Sequence, residues 1–237
     1  MAKLSFIIDK EYDFNRFLEM LNSIPEKEKS HFLKAAGFEI DLQNRIEMEK
    51  ILPPQKDEMY KNAMKFLKKT AKLYQSSWNE IDSYFFKKVE KITGFPWQHT
   101  KYYCVVSPFN KGISNWGGNK IVRTWSENPY YMRKITAHEV LISHIFTIFD
   151  RLNKWPNLND QKKWVIAEIS AWSITGLEEE MVKKCWPWIN EENRYPYNHN
   201  YQFLVPMQKE LKKYYLDKKD FISYLIKAVE VAEKENE

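Results

Sequence analysis

A long helical pattern of apolar residues in the first half of the chain most constrains the fold. Between residues 57 and 92, large apolar side chains recur mostly at steps of three and four residues, which puts them on one face of a helix. Core packing is the ordinary role of such a stripe. Gly94 and Pro96 then end the pattern. Two shorter helical patterns cover residues 12–36, so we expect residues 1–95 to form a helical N-terminal part.

The pattern of residue types in the sequence changes at residue 95. Residues 101–109 (KYYCVVSPF) are β-branched and aromatic and predict a strand, and residues 120–125 (KIVRTW) predict a second one. The alternation in the second run is typical of a half-buried edge strand. Between them, residues 112–119 (GISNWGGN) predict a turn-rich loop, across which the two strands are expected to pair as a hairpin.

Helical patterns return after Pro129. One runs to about Asn153, another spans roughly residues 160–184, and one or two close the chain from about 204 to 235. Residues 185–201 are rich in Pro and Asn and are expected to be irregular. This order of helices, strands and helices predicts an α+β fold, mainly helical with a small antiparallel sheet. No linker is evident, so residues 1–237 are expected to form a single domain.

Charge and cysteine content argue against several classes of protein. The net charge is +5, from 37 basic and 32 acidic residues, without the basic cluster that indicates nucleic-acid binding. No stretch approaches the roughly 20 apolar residues of a membrane span, and the N-terminal apolar run is too short for a signal peptide. Cys104 and Cys185 predict buried thiols rather than a disulfide framework. We therefore expect a cytoplasmic protein that binds neither nucleic acid nor a membrane.

The residues with the clearest chemistry lie at 135–146, ITAHEVLISHIF. His138 and Glu139 sit on the predicted helix after Pro129, and Glu168 sits on the next helix. Imidazole nitrogens and carboxylate oxygens are ligands of tetrahedral zinc. A glutamate that follows a metal-binding histidine on a helix can activate the metal-bound water.

In this order of parts the sequence resembles the zincin metallopeptidases, and specifically the glutamate-type zincins. The stretch NKIVRTWSENPYYMRKITAHEVL followed by WVIAEISAW is similar to their edge strand, His-Glu helix and second helix with a metal-binding Glu. The resemblance covers roughly residues 100–175 and implies that residues 96–237 form a zincin-like sheet-and-helix part. It also implies a zinc cofactor held by His138 and Glu168, Glu139 as the catalytic base, and a peptide or protein substrate.

The family motif is His-Glu-x-x-His, and Ile142 stands where its second His belongs. The nearest substitute as a metal ligand is His144. Six helical residues rotate by about 240° net and rise about 9 Å, so His138 and His144 point to different sides of a regular helix. His99 and His199 are further candidates for the missing ligand. If none of them serves, His138 simply forms a hydrogen bond and His144 is half-buried in the core.

Two functions from different classes follow. The first is a zinc-dependent peptidase in which Glu139 activates water. The alternative is a catalytically inactive zincin-like scaffold that binds a peptide or protein partner. Aromatic residues around the predicted strands would line a groove for an extended peptide in both cases, with ordinary packing as the other interpretation. These aromatic residues are Trp116, Trp125, Tyr130, Tyr131, Trp186 and Trp188.

Overall fold

Helices and strands follow one another in the predicted order, with an additional strand near the N-terminus. The computed structural model describes residues 1–38, 45–198 and 201–234, with residues 45–49 described by their backbone alone. It is mainly helical with a four-stranded mixed sheet, so the α+β class is confirmed. The strands are β1 (Lys3–Ile7), β2 (Lys101–Ser107), β3 (Gly112–Ile113) and β4 (Lys120–Thr124). The helices are α1 (Lys10–Ser23), α2 (Glu26–Ala35), α3 (Arg45–Asn79), α4 (Asp82–Thr93), α5 (Tyr131–Leu152), α6 (Asp160–Leu177), α7 (Glu179–Cys185), α8 (Glu191–Arg194), α9 (Val205–Leu216) and α10 (Phe221–Lys234).

The sheet is mixed rather than antiparallel, so the predicted hairpin is wrong. The strand order is β1-β2-β4-β3, with β1 and β4 parallel to β2 and β3 antiparallel to β4. β4 lies between two strands and is not the edge that its alternation indicated. Ile121, Val122 and Arg123 are all buried, as a strand covered on both faces requires. The edge strand is β3, within the segment predicted to be a turn-rich loop.

The N-terminal part is not purely helical, because β1 forms the other edge of the sheet. Side chains from α3 and α4 cover this edge. The Gln75 side chain accepts a hydrogen bond from the Phe6 N–H at 2.9 Å and donates one to the Leu4 carbonyl at 3.2 Å. Asp82 accepts from the Leu4 N–H at 3.0 Å. Backbone groups that would be unpaired at a free edge therefore have partners.

Helices cover both faces of the sheet. On one face, Val105, Ile113 and Val122 pack against Tyr12 and Met20 of α1. On the other face, residues of β1, β2 and β4 join an apolar cluster that extends from Ala2 to Ala232. This cluster contains residues of both the N-terminal part and the rest of the chain. Cys104 and Cys185 are fully buried within it as free thiols, as predicted.

Helices α5 and α6 pack against each other and carry the His-Glu motif and Glu168. Asn153, in the left-handed conformation with φ 46°, caps the end of α5. Asn159 caps the start of α6 by accepting a hydrogen bond from the Lys162 N–H at 2.8 Å. The helix predicted over residues 160–184 is α6 and α7, divided at Glu178. Within the described ranges, no helix combines the length and apolarity needed to cross a membrane.

The Gln75 hydrogen bonds to the backbone of strand β1 give a first prediction. Gln75→Ala leaves the Leu4 carbonyl and the Phe6 N–H without their side-chain partner, so we expect the free energy of unfolding to fall by about 1–2 kcal/mol. Urea denaturation followed by circular dichroism measures this change. Ser76→Ala, on the exposed side of the same helix turn, is the matched control and should leave stability unchanged. Equal stability of the two variants would show that the Gln75 contacts contribute nothing.

Candidate functional site

A groove with a volume of about 1330 Å³ runs between the edge strand β3 and the α5–α6 helix pair. We call it the central groove. His138, Glu139 and Ile142 of α5 line it, and so does Glu168 of α6. Two consecutive helices thus bring three of the four predicted site residues to one cavity. His144 is the predicted site residue that does not line it.

The structure brings His138 and Glu168 into direct contact, as the order of helices predicted. The His138 Nε2 atom lies 3.1 Å from Glu168 Oε2, and both side chains are buried. Two ligands of one tetrahedral zinc ion lie roughly 3.4 Å apart, given metal–ligand distances of about 2.0–2.2 Å. The separation therefore suits either a hydrogen bond or a shared ion.

Glu168 has further partners on its second oxygen. Glu168 Oε1 accepts hydrogen bonds from Asn198 Nδ2 at 3.2 Å and from Trp172 Nε1 at 3.3 Å. The Trp172 ring also lies against the His138 ring, with centroids 4.6 Å apart. These contacts fix the orientation of both members of the pair.

The pair stabilises the charged form of each partner. Burial lowers the pKa of His138, but the neighbouring Glu168 carboxylate outweighs burial, so that the pKa is raised above its usual range. Burial raises the pKa of Glu168, and the contact with His138 together with the Trp172 and Asn198 hydrogen bonds outweighs it, so that this pKa is lowered. The two shifts favour an imidazolium–carboxylate ion pair.

Glu139 lies within ion-pair distance of an arginine and takes no part in the His138–Glu168 contact. Its Oε1 lies 3.7 Å from Nη1 of Arg123, a buried residue of β4 that also pairs with Glu127. Burial raises the pKa of Glu139, and the charges of His138 and Arg123 lower it by less. The carboxylate therefore faces the groove with a fixed cation beside it.

The described residues do not complete a catalytic zinc site of the family's kind. Such a site needs three protein ligands, and Ile142 presents an apolar side chain to the groove where the second histidine belongs. In the described part of the chain, no three His, Cys, Asp or Glu side chains are grouped so that they could hold a metal. A metal-binding histidine almost always donates its other ring N–H to a partner. The buried His138 Nδ1 has no partner among the described residues.

His144 belongs to the core rather than to the groove. It is fully buried, its Nε2 lies 3.3 Å from Thr93 Oγ1, and its ring stacks on Trp97 with centroids 4.1 Å apart. Burial lowers the pKa of His144 to about 3, so its imidazole is neutral. None of these contacts reaches His138 or Glu168, in agreement with the helical geometry that sends the two histidines to different sides.

The other two candidate histidines add no ligand to the described site. His99 Nε2 lies 3.3 Å from the Gly117 carbonyl oxygen, and its ring contacts Tyr102. It does not line the central groove. His199 lies outside the described residues.

Sequence reasoning missed three residues that shape the site. Trp172 lies one helical turn after Glu168, so its spacing was a signal that could have found it. Arg123 lies in the run predicted to be a half-buried edge strand, and its burial became visible only with the position of β4. Asn198 lies in the irregular segment, where no sequence pattern indicated a contact with Glu168.

The predicted aromatic groove is divided between two cavities. Trp116 and Trp125 line the central groove with Tyr201 and Phe203. Trp116 is 47% exposed, and it stacks on Phe146 with centroids 5.0 Å apart. Other members of the predicted set lie elsewhere: Tyr131 and Trp188 line a second cavity, Tyr130 packs on Trp188, and Trp186 is buried in the core.

Comparisons with protein-family models, with curated proteins and with solved structures find no match to this chain. The zincin-like resemblance therefore remains an expectation from the residues. Any function assigned to the chain therefore rests on the geometry of its own cavities.

The ion pair gives a second prediction, from the direction of its pKa shifts. A raised His138 pKa contributes stability that is present below the ordinary value of about 6.5 and is lost as pH rises through the raised pKa. A lowered Glu168 pKa contributes stability that is present at pH values above the ordinary carboxyl pKa. This stability is lost as the pH falls through the lowered pKa. Glu168→Gln should therefore lower the free energy of unfolding by about 1–3 kcal/mol near pH 6 and by less near pH 9.

Urea denaturation of the wild type and the variant at both pH values measures this difference. The exposed Glu58→Gln is the matched control, because the same charge is removed where it has no described partner. A Glu168→Gln effect that does not fall between pH 6 and the alkaline limit of the folded state would contradict an ion pair that is lost as His138 titrates.

Proposed function

We propose that this chain is a peptide-binding protein on a zincin-like scaffold, without zinc-dependent hydrolysis. The proposal rests on residue 142, which is apolar where a zincin has its second metal-binding histidine. Ile142 is apolar there, and His138 is already paired with Glu168 at 3.1 Å. A groove of about 1330 Å³ is nevertheless retained, with an edge strand on one side. The proposal follows the alternative that the sequence left open.

The edge strand supports a peptide ligand in particular. The Thr124 N–H donates to the Lys111 carbonyl at 3.4 Å, and Gly112 is paired with Arg123 in the antiparallel ladder. Because hydrogen-bonded and non-hydrogen-bonded pairs alternate in such a ladder, the N–H and C=O of Gly112 point to the open edge. An extended peptide satisfies such groups by adding a strand, and side-chain pockets then give specificity.

The aromatic lining supports the same class of ligand. Trp164 and Tyr201 meet edge to face with centroids 5.1 Å apart, and Phe203, 59% exposed, extends the wall. Exposed rings beside a groove are the surfaces that bury against apolar side chains of a bound partner. The buried charges of the His138–Glu168 and Arg123–Glu139 contacts supply polar groups at the floor.

A zinc-dependent peptidase is the second candidate, and one observation favours it. His138 and Glu168 lie within the reach of a single ion, and Glu139 lines the same groove. If a further ligand completed the site, zinc would polarise a bound water and Glu139 would accept its proton. The two candidates therefore differ in whether the wild-type protein binds zinc.

A third prediction uses residue 142 to separate the candidates. We expect untagged wild-type protein, offered zinc and then freed of excess, to carry no stoichiometric metal. Ile142→His puts a second imidazole one helical turn after His138, on the face that lines the groove, and should bind about one zinc per chain. Metal content by mass spectrometry gives both values.

Two further variants make the metal test decisive. Ile142→His combined with His138→Ala should lose the metal again, which excludes adventitious binding elsewhere. About one zinc in the wild type, lost in His138→Ala alone, would instead establish the peptidase candidate. No zinc in a folded Ile142→His variant would contradict the zincin-like arrangement of the two helices.

A fourth prediction concerns the peptide itself. Phage-displayed random dodecapeptides selected on the wild type should bind in the central groove, with dissociation constants measurable by fluorescence anisotropy. Trp116→Ala removes a ring that lines the groove and should weaken peptide binding about ten-fold. This is the effect of losing roughly 1.4 kcal/mol of contact energy. Tyr214→Ala removes an exposed ring that lines neither described cavity and should leave the affinity unchanged.

Three outcomes would count against this proposal. One is a failure of the selection to enrich any sequence. Another is an equal affinity of the wild type and Trp116→Ala. The third is cleavage of a selected peptide that Glu139→Gln abolishes, which would assign the groove to a peptidase.

A further inference from the structure

A second cavity, of about 430 Å³, lies beside the central groove. Lys134 of α5 and Trp172 of α6 line it, together with Tyr131 and Trp188, and we call it the Lys134 cavity. Trp172 lines the central groove as well and forms part of the boundary between the two. The exposed residues Asn190 and Asn193 lie at its border, so it opens to solvent there.

Lys134 is a buried cation at the wall of this cavity. Its relative exposure is 4%, and its Nζ donates hydrogen bonds to the backbone carbonyls of Arg194 at 2.6 Å and Asn193 at 3.3 Å. The ammonium lies 5.1 Å from the centroid of the Trp172 ring. These partners are dipoles and a ring, and in the described part of the chain no carboxylate lies within ion-pair distance of Lys134. Burial lowers the pKa of Lys134 to about 8.

The absence of a counter-charge sets Lys134 apart from the other buried cations of the described chain. The four other buried lysines and arginines each have a carboxylate partner, and the buried His138 has Glu168. A buried charge without an opposite charge is costly, and a ligand that supplies the charge recovers that cost. The pairs are Lys29 with Glu26, Lys56 with Glu11 and Asp57, Arg123 with Glu127 and Glu139, and Arg133 with Glu80.

The walls of the cavity are flat and apolar, and their orientation is fixed. Trp188 packs against the Arg133 guanidinium, 5.3 Å from its ring centroid, and meets the Tyr130 ring in a T-shaped contact. Trp172 is held by its hydrogen bond to Glu168. Preformed aromatic walls with a few polar groups are the ordinary composition of a small-molecule site, and the volume lies within the usual range of about 300–1000 Å³.

We propose that the Lys134 cavity binds a small aromatic carboxylate. Its carboxylate pairs with the Lys134 ammonium, and its ring lies against Trp172 and Trp188. The ligand enters past Tyr131, which is 62% exposed. This site does not depend on what the central groove binds, because neither Ile142 nor the β3 edge takes part in it.

The test compares a charged ligand with its neutral counterpart on the intact protein. Isothermal titration calorimetry with 2-naphthoate and with 2-naphthamide measures the two affinities at neutral pH. We expect the acid to bind at least ten-fold more tightly than the amide. Lys134→Met should remove this preference, whereas Lys183→Met, an exposed lysine outside the cavity, should keep it.

A second variant protects the test against misfolding of Lys134→Met. Trp188 is half-buried, and Trp188→Ala should weaken binding of both ligands at least five-fold while circular dichroism shows an unchanged fold. Equal affinity for acid and amide, no binding of the acid, or a preference that survives in folded Lys134→Met would overturn the proposal. So would a Trp188→Ala variant that binds as tightly as the wild type.

Discussion

The buried contact between His138 and Glu168 sets the geometry on which both cavities depend. It lies between α5 and α6, which pack against each other, and it joins the two helices by polar atoms 3.1 Å apart. One turn before His138 comes Lys134, and one turn after Glu168 comes Trp172, so these two meet at the second cavity. In the other direction along α5, Ile142 meets the central groove. Lys134, His138 and Ile142 follow one another at steps of four residues, so one face of α5 carries a cation, one member of the ion pair and an apolar side chain.

Ile142 changes what this face can do. In a zinc site the third ligand would share the ion with His138 and Glu168, and water would complete the tetrahedron. With an isoleucine there, the charges of His138 and Glu168 have each other and the donors of Trp172 and Asn198. His138 Nε2 and both Glu168 oxygens therefore have partners without a metal, and this supports the proposed binding groove over a hydrolytic centre.

The sequence could predict what depends on helical period and on chain order, and little of what depends on strand pairing. The approach of His138 to Glu168 follows from two consecutive helices, and the end of α5 at Asn153 follows from local chemistry. The parallel pairing of β2 with β4 does not, because register is decided by partners distant along the chain. The buried Arg123 shows the consequence: its run was predicted to be an edge strand, yet β4 lies between two strands and Arg123 is buried beside Glu127 and Glu139.

Arg123 also connects the floor of the groove to its edge. A Cβ atom at position 112 would collide with the Arg123 guanidinium, so the guanidinium occupies the space that a side chain on β3 would need. The Cβ position lies on the side of Arg123 and Glu139, whereas the N–H and C=O of Gly112 point within the sheet to its open edge. A larger residue at position 112 would therefore displace the Arg123 guanidinium, which lies 3.7 Å from Glu139, beside the edge where the proposed peptide strand would pair.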